Sequence, residues 1–354
     1  MVTFDENLTI TPKESITKAK GKPKHTGGGA GANFVLEIEP EEILPPLPCE
    51  DSLEPNDISP KLIVGIVDMG IDFSQQRLQN FNLMDPMTRK LNSYNTFVCN
   101  ELDIYDQRGH GTHIAGIITI PGQFDPPFGV NLDAQMGIYS VKITERDKKA
   151  SDLRAAVCGI KYAVDNGAQI INLSWGFYKK LPNINPETIE DILGPLAQAI
   201  RYAKEKGVLI VAAAGNDAMD TDACHFWPAG LSRVTGFENV LSVAALNMTN
   251  DGLADFSNFG KTSVQIVASG TSVSSLDPNA GTSSTGFRKL SGTSMAAPFV
   301  TKLAAYYFLS NPGSDYSILK SRILKDPRNP ILSYSTRLGT PVKLVTSPVL
   351  APLF

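Results

Sequence analysis

The segment GTSMAAP at residues 292–298 decides how the rest of this sequence is interpreted. It places the hydroxyl of Ser294 between small residues, at the predicted start of a helix over 294–309. The first turn of a helix has backbone N–H groups without partners and carries the positive end of the helix dipole, so both would face negative charge that develops beside Ser294. An isolated serine is usually a surface hydroxyl or a helix cap. The segment therefore predicts a nucleophile only if the chain also supplies a base and an acid.

Two upstream segments supply these groups. The segment RGHGTHIAG at 108–116 places His110 and His113 among glycines, before a small and apolar stretch typical of a buried helix. The apolar run at 62–67 ends in Asp68, which predicts a buried strand with a carboxylate at its tip. One histidine would take the proton of the serine, and the aspartate would hold the imidazole in the correct tautomer.

The order Asp, His, Ser in these contexts resembles the subtilase family, the subtilisin-like serine peptidases, whose HGTHxAG and GTSMAxP signatures are matched almost literally. The resemblance implies a serine endopeptidase that hydrolyses peptide bonds through an acyl-enzyme intermediate. It assigns the catalytic triad to Asp68, His110 and Ser294 and leaves His113 as a buried residue with a hydrogen-bonding role.

Two alternatives to this interpretation are open at the level of sequence. His110 and His113 have a spacing that also occurs in metal sites, which His225 or Cys224 would complete, but the chain lacks the glutamate of the zinc-protease motif, so no metal site is predicted. The second alternative is a catalytically weak or inactive subtilase-fold protein that binds peptides. Met69 favours it, because relatives usually have a serine or threonine there that can donate to the aspartate.

Two further segments lie between the histidine and serine motifs. By the resemblance, IINLSWG at 170–176 ends in an edge that pairs with substrate backbone, and VLIVAAAGN at 208–216 ends in the oxyanion-hole residue Asn216. The Asn216 amide and the backbone N–H of Ser294 would receive the negative oxygen of the tetrahedral intermediate. The resemblance places the substrate-binding residues at Lys149, Ala150, Ser151, Ser174, Trp175 and Gly176.

The loop ACHFWPA at 223–229 resembles the floor of the family's specificity pocket. Phe226 is expected to fill that floor. If it does, the enzyme prefers small residues at the cut.

The hydrophobic pattern predicts an α/β fold. Apolar runs at 62–67, 136–143, 170–174, 208–213, 240–244 and 264–267 alternate with helix-like stretches at 153–166, 189–206 and 294–309. This alternation is typical of a parallel sheet, with functional residues at the carboxyl ends of its strands. The resemblance implies a subtilisin-like three-layer fold with a mainly parallel central sheet flanked by helices.

Three regions are predicted along the chain. Residues 1–58 form a polar N-terminal extension with a strand-like run at 34–38, interpreted either as a surface arm with one added strand or as a short self-inhibitory pro-segment. Residues 59–325 form the peptidase domain, and residues 326–354 form a C-terminal tail that packs on it. The glycine cluster at 27–31 precedes a strand instead of opening a helix, which indicates a linker and not a nucleotide-binding loop.

Composition restricts the partners. The chain has 32 basic and 36 acidic residues, a formal net charge of −4, which argues against nucleic acid, and it has no apolar stretch long enough to insert in a membrane. A protein or peptide substrate and a monomeric state are expected. No cofactor is required, and calcium is expected at most as a structural ion without an identifiable site, because no compact acidic ligand motif is present. Residues 1–10 lack the pattern of a secretory signal, which predicts a cytoplasmic protein or leaderless export.

Overall fold

The computed structural model describes residues 34–36, 61–81, 94–95, 105–121, 130–144, 150–151, 153–181, 184–249, 252–278, 286–325, 331–332 and 342–344. The strands are β1 (Phe34–Leu36), β2 (Leu62–Asp68), β3 (Tyr94–Asn95), β4 (Met136–Lys142), β5 (Ala150–Ser151), β6 (Ile170–Leu173), β7 (Trp175–Tyr178), β8 (Leu209–Ala213), β9 (Phe226–Trp227), β10 (Val240–Leu246), β11 (Ile266–Ser269), β12 (Val273–Leu276), β13 (Phe287–Leu290), β14 (Ile331–Leu332) and β15 (Val342–Leu344). The α-helices are α1 (His110–Thr119), α2 (Leu132–Gln135), α3 (Leu153–Asp165), α4 (Pro186–Glu205), α5 (Thr221–Cys224), α6 (Thr293–Ser310) and α7 (Tyr316–Lys325).

A central sheet of nine strands has the order β14-β15-β11-β10-β8-β6-β2-β4-β3. Neighbouring strands are parallel except for the pair β14 and β15. Parallel sheets are stable when both faces are covered, which explains why β4, β8 and β10 are mostly apolar and are buried along their whole length. The carboxyl ends of β2, β6 and β8 therefore lie side by side at one edge of the molecule's core.

Helices cover both faces of this sheet. Successive side chains of a strand point to opposite faces, so Val64 and Ile66 of β2 join a core with α1, α6 and α7, whereas Val67 joins the opposite core with α3 and α4. Each buried valine or isoleucine stabilises the fold by about 1.5–3 kcal/mol relative to an exposed one. The predicted three-layer α/β architecture is confirmed.

One predicted helix is interrupted. The run expected over 189–206 lies in α4, but Gly194 has a φ of 11° and a ψ of −93°, outside the helical region. Pro195 follows it. Proline disfavours the helical conformation of the preceding residue and removes a backbone donor, so the helix bends at this pair.

A second, smaller sheet has the order β5-β1-β7-β9. The N-terminal strand β1 lies between β5 and β7 and is parallel to both, with Phe34 opposite Trp175 and Leu36 opposite Ser151. The strand-like run expected at 34–38 therefore supplies an inner strand of this sheet over residues 34–36. At the other end of the chain, β14 and β15 extend the edge of the central sheet beside β11.

In the part of the chain that the structure describes, every helix is too short or too polar to cross a membrane.

Candidate active site

Asp68 and His110 meet where β2 ends and α1 begins. The His110 Nδ1 atom lies 2.7 Å from Asp68 Oδ1, and the Met69 backbone N–H donates to the same oxygen at 2.8 Å. Within the described ranges, Asp68 Oδ2 and His110 Nε2 are buried and have no hydrogen-bond partner. A hydroxyl at position 69 is absent, as the sequence indicated, and a backbone N–H contacts the carboxylate instead. With its proton on Nδ1, the neutral imidazole presents Nε2 as an acceptor.

The protonation of His110 reflects opposing effects. Burial on its own lowers the pKa of His110, but the charge of Asp68, its hydrogen bond and the charge of Asp106 together raise that pKa above its ordinary value. His113 behaves differently. Its Nε2–H faces the carbonyl oxygens of Val273 and Arg288 at 3.1 and 3.0 Å, and burial lowers its pKa to about 3, so the ring stays neutral.

Ser294 is the second residue of α6 and is buried. Its hydroxyl donates to the carbonyl oxygen of Ser174 at 2.9 Å, and the Ser174 hydroxyl donates back to the Ser294 carbonyl at 2.8 Å. The side-chain amide of Asn172 donates to the Ser174 hydroxyl at 2.9 Å, and Thr301 of α6 donates to the other end of that amide. This buried chain of polar groups joins α6 to the end of β6.

Asn216 follows β8 and is oriented by Thr293. Its Oδ1 accepts hydrogen bonds from the Thr293 backbone N–H at 2.8 Å and from the Thr293 hydroxyl at 2.9 Å. The Thr293 hydroxyl in turn accepts from the Gly215 N–H at 3.0 Å. A Cβ atom on Gly292 would lie 3.0 Å from Asn216 Nδ2, so the donor end of the amide lies beside the start of α6. Sequence reasoning singled out Asn216 and missed Thr293, although its hydroxyl stands next to Ser294 in the motif.

The two expected substrate edges form β5 and the start of β7. Ala150 and Ser151 pair with β1 on one side, and Trp175 and Gly176 pair with it on the other. The Trp175 side chain is fully buried and its indole N–H donates to the Val67 carbonyl at 2.9 Å, so only its backbone is placed to meet a peptide. Lys149 lies outside the described residues.

Phe226 fills the space between two of these segments. A Cβ atom on Gly176 would lie 2.4 Å from Phe226 Cε1 and Cζ, and one on Gly215 would lie 3.2 Å from Cζ. The phenyl ring is therefore wedged between the segment that follows Ser174 and the segment that precedes Asn216, and it is buried.

Tyr178 holds this ring from one side. Its ring centroid lies 4.9 Å from that of Phe226 at an interplanar angle of 60°. The Tyr178 hydroxyl donates to Asp217 Oδ2 at 2.8 Å and accepts from Asn258 Nδ2 at 2.7 Å. Sequence reasoning did not identify Tyr178, because Asn258 is 80 residues away along the chain.

Among the described residues, no group of three or more His, Cys, Asp or Glu side chains is arranged to hold a metal ion.

Gly111 permits the close approach of α1 to the end of β2. A Cβ atom at this position would lie 2.1 Å from the Gly70 carbonyl oxygen and 3.3 Å from Asp68 Oδ1. Because the Gly70 atom belongs to the backbone, Gly111→Ala must push α1 away. We expect a loss of about 1–3 kcal/mol in the free energy of unfolding, measured by urea denaturation, and a weaker low-field proton signal of the His110–Asp68 hydrogen bond in NMR spectra.

Gly65→Ala is the control, because its Cβ atom would meet Ala163 Cβ at 3.0 Å, farther from the site. It should leave the low-field signal unchanged. Wild-type stability and signal in Gly111→Ala would contradict the role given to this contact.

Comparison with known proteins gives a family match over most of the chain. Residues 59–326 match the model of the subtilase family. A thermophilic serine proteinase of Bacillus sp. strain AK1 is 33% identical over 68% of this chain and 51% of its own length. A cell wall-associated protease of Bacillus subtilis is 34% identical over 71% of this chain and 24% of its own length. This chain thus spans about half or less of these relatives.

The fold is also found among solved structures. A cold-adapted subtilisin-like serine proteinase superimposes with a TM-score of 0.60 at 23% identity, covering 85% of this chain and 94% of that structure.

The comparisons correct one expectation. The prediction of a cytoplasmic protein or leaderless export is wrong, because the relatives include a cell wall-associated protease. That prediction rested on residues 1–10, which lie outside the described part of the chain. The match over residues 59–326 and the subtilisin-like architecture agree with the two sequence signatures, and the chain belongs to the subtilase family.

Proposed function

We propose that this protein is a serine endopeptidase in which Asp68, His110 and Ser294 are the catalytic triad. The observation that carries the proposal is the 2.7 Å contact between His110 Nδ1 and Asp68 Oδ1, which leaves a buried acceptor, Nε2, on the opposite side of the ring. Such an acceptor suits a general base. Substrates are proteins or peptides, and the protein acts as a monomer. A structural calcium ion has no assigned site, and the chemistry requires no cofactor.

The reaction follows from these positions. The Ser294 hydroxyl turns from the Ser174 carbonyl to His110, its oxygen bonds to the substrate carbonyl carbon, and its proton passes to Nε2. The negative oxygen of the intermediate accepts hydrogen bonds from Asn216 Nδ2 and the Ser294 N–H. When the intermediate collapses, the C–N bond breaks and the leaving amine takes the proton from His110. Water then attacks the acyl-enzyme and gives its proton to His110. The bond to Ser294 breaks, the serine takes that proton back, and the acyl part of the substrate leaves as a carboxylic acid.

Covalent labelling tests the triad. A fluorophosphonate probe should modify Ser294 in the wild type, as identified by peptide mass spectrometry, and should not modify Ser294→Ala. In His110→Ala the rate should fall by about 10³-fold or more, because the hydroxyl loses its base.

The control is Ser310→Ala at the far end of α6, which should label as the wild type does. Absence of labelling at Ser294, both in the full chain and after removal of residues 1–58, would contradict the peptidase and favour a peptide-binding protein without activity.

The position of Phe226 supports a narrow specificity. When a carbonyl group is held between Ser294 and Asn216, the side chain on its α-carbon points into the space between the segments that contain Gly176 and Gly215. Phe226 occupies that space. Small residues such as glycine, alanine and serine are therefore the proposed residues on the acyl side of the cut.

Phe226→Gly tests this specificity. Opening the pocket should raise the ratio of kcat/KM for a peptide with phenylalanine at the cut to that for its alanine counterpart by about 10-fold or more. Tyr178→Phe, which keeps the ring and loses the hydroxyl, should change the ratio less. An unchanged ratio in folded Phe226→Gly would show that the phenyl ring does not limit the pocket.

The N-terminal extension is proposed to be inhibitory. Strand β7 begins beside Ser174 and runs away from the nucleophile, and β1 is parallel to it. The acyl part of a substrate ends at Ser294 with its carbonyl group, so along β7 it must run in the opposite direction. Strand β1 thus pairs with both substrate edges, β5 and β7, and runs in the direction opposite to that of a substrate. This position favours the self-inhibitory segment over the surface arm. The peptidase domain at 59–325 and the packed tail at 326–354 complete the proposed organisation.

Truncation tests the inhibitory role. Removal of residues 1–58 should raise kcat/KM for a short peptide by about 10-fold or more, because β1 no longer competes for the edges. Removal of residues 1–20 keeps β1 and should change little. Equal activity of the two truncated proteins would contradict inhibition, and self-cleavage within residues 34–36 would contradict the reversed direction.

A further inference from the structure

Asp106 is a fully buried carboxylate that the proposed reaction does not use. Its Oδ1 accepts from the backbone N–H groups of Arg108 at 3.0 Å and Gly109 at 2.8 Å. Its Oδ2 accepts from the Thr112 backbone N–H at 2.8 Å and from the Thr112 hydroxyl at 2.9 Å. All four groups donate to the carboxylate, and the three backbone N–H groups cannot accept a proton from it. Burial and the charge of Asp68 raise the pKa of Asp106, and the hydrogen bonds from Thr112 and Gly109 oppose that shift by favouring the ionised form.

These bonds fix the start of the helix that begins with His110. The N-cap residue of α1 is Gly109, which has a φ of +80° and no side chain to cap the helix. A Cβ atom there would lie 2.8 Å from Arg288 Nη2 and 2.9 Å from Pro278 Cδ, so a capping side chain has no room. Asp106 replaces it from three residues upstream, and a negative charge at a helix N-terminus is favourable.

The same carboxylate is connected to the loop after Asp68. The Thr112 hydroxyl, which donates to Asp106, accepts a hydrogen bond from the Asp72 backbone N–H at 3.0 Å. Asp106 is thus tied to both segments that carry the proposed acid and base. Loss of its acceptor atoms would loosen the register between β2 and α1.

The charges around His110 and Asp106 also affect the protonation of His110. Among the described residues, the titratable groups that act on His110 or Asp106 or lie in the neighbouring segments are Asp68, Asp72, Tyr105, Arg108, His113, Lys142 and Arg288. Asp68 and Asp106 favour the imidazolium form of His110, whereas Arg288 opposes it. An imidazolium ion forms transiently when His110 takes the serine proton.

We propose that Asp106 is a positioning residue of the peptidase: its ionised carboxylate holds the first turn of α1, and its negative charge supplements that of Asp68 in stabilising the His110 imidazolium. The proposal rests on the function given above. It adds a second buried carboxylate to the acid–base apparatus, one that does not touch the imidazole.

Asp106→Asn tests both parts of the proposal. The amide keeps the size of the side chain but has no charge and one acceptor atom fewer. We expect kcat/KM at its pH plateau to fall by about 10–100-fold. Because the Asp106 charge raises the pKa of His110, its removal lowers that pKa, and the acidic limb of the pH profile should move to lower pH by about 0.5 unit or more.

Two variants separate charge from geometry. Thr112→Val removes two hydrogen bonds, the one that the hydroxyl donates to Asp106 and the one that it accepts from the Asp72 N–H, and keeps the carboxylate, so it should lower kcat/KM and leave the acidic limb in place. Asp315→Asn removes a carboxylate that caps α7 through the N–H groups of Ser317 and Ile318, and it should leave both quantities unchanged. If Asp315→Asn shifts the acidic limb of the pH profile as much as Asp106→Asn does, the shift does not come from a charge close to His110, and that part of the proposal is wrong.

A direct titration keeps this test independent of activity. The His110 resonance is followed by NMR in Ser294→Ala, with and without Asp106→Asn, while urea denaturation confirms that both proteins are folded. A lower pKa in the double variant supports the proposal, even if the wild type fails to label with fluorophosphonate and the peptidase function is rejected. An unchanged pKa overturns it and leaves Asp106 as a helix cap only.

Discussion

The fold buries two carboxylates, those of Asp68 and Asp106, around the contact between the end of β2 and the first turn of α1. Transfer of a carboxylate from water to the interior is costly unless hydrogen bonds and opposite charge compensate. Asp68 receives such compensation from His110 Nδ1 and the Met69 N–H, and Asp106 receives it from four donors around the same turn. The parallel sheet makes this arrangement possible, because it delivers the ends of β2, β6 and β8 to a single edge.

The main features of this edge were predictable from local sequence. Apolar runs mark the buried strands, and polar residues at their ends or shortly after them, such as Asp68 and Asn216, fall at the carboxyl edge of the sheet. The small and apolar stretch around His110 predicts the buried helix α1, and α6 begins within one residue of the predicted position. These predictions succeed because each depends on residues that are neighbours in the chain.

Other features depend on contacts between distant residues and were not predictable. Thr293 orients Asn216 across 77 residues, and Asn258 reaches the Tyr178 hydroxyl across 80. Asp106 looks like a solvent-exposed loop residue in the sequence, because its four donors become visible only when the turn before α1 is formed. The pairing of β1 with β5 and β7 likewise brings together residues more than 110 positions apart.

The ground-state position of the Ser294 hydroxyl is compatible with its proposed role. The hydroxyl donates to the Ser174 carbonyl, a bond with a net value of about 0.5–1.5 kcal/mol. A buried acceptor without a partner, such as His110 Nε2, costs about 1–3 kcal/mol. Rotation of the hydroxyl toward Nε2 relieves this cost and takes the donor from the buried Ser174 carbonyl, so the two terms nearly cancel. The Ser174 contact therefore holds the nucleophile without imposing a barrier comparable to that of the chemical step, which for a turnover of about 10 s⁻¹ is roughly 16 kcal/mol.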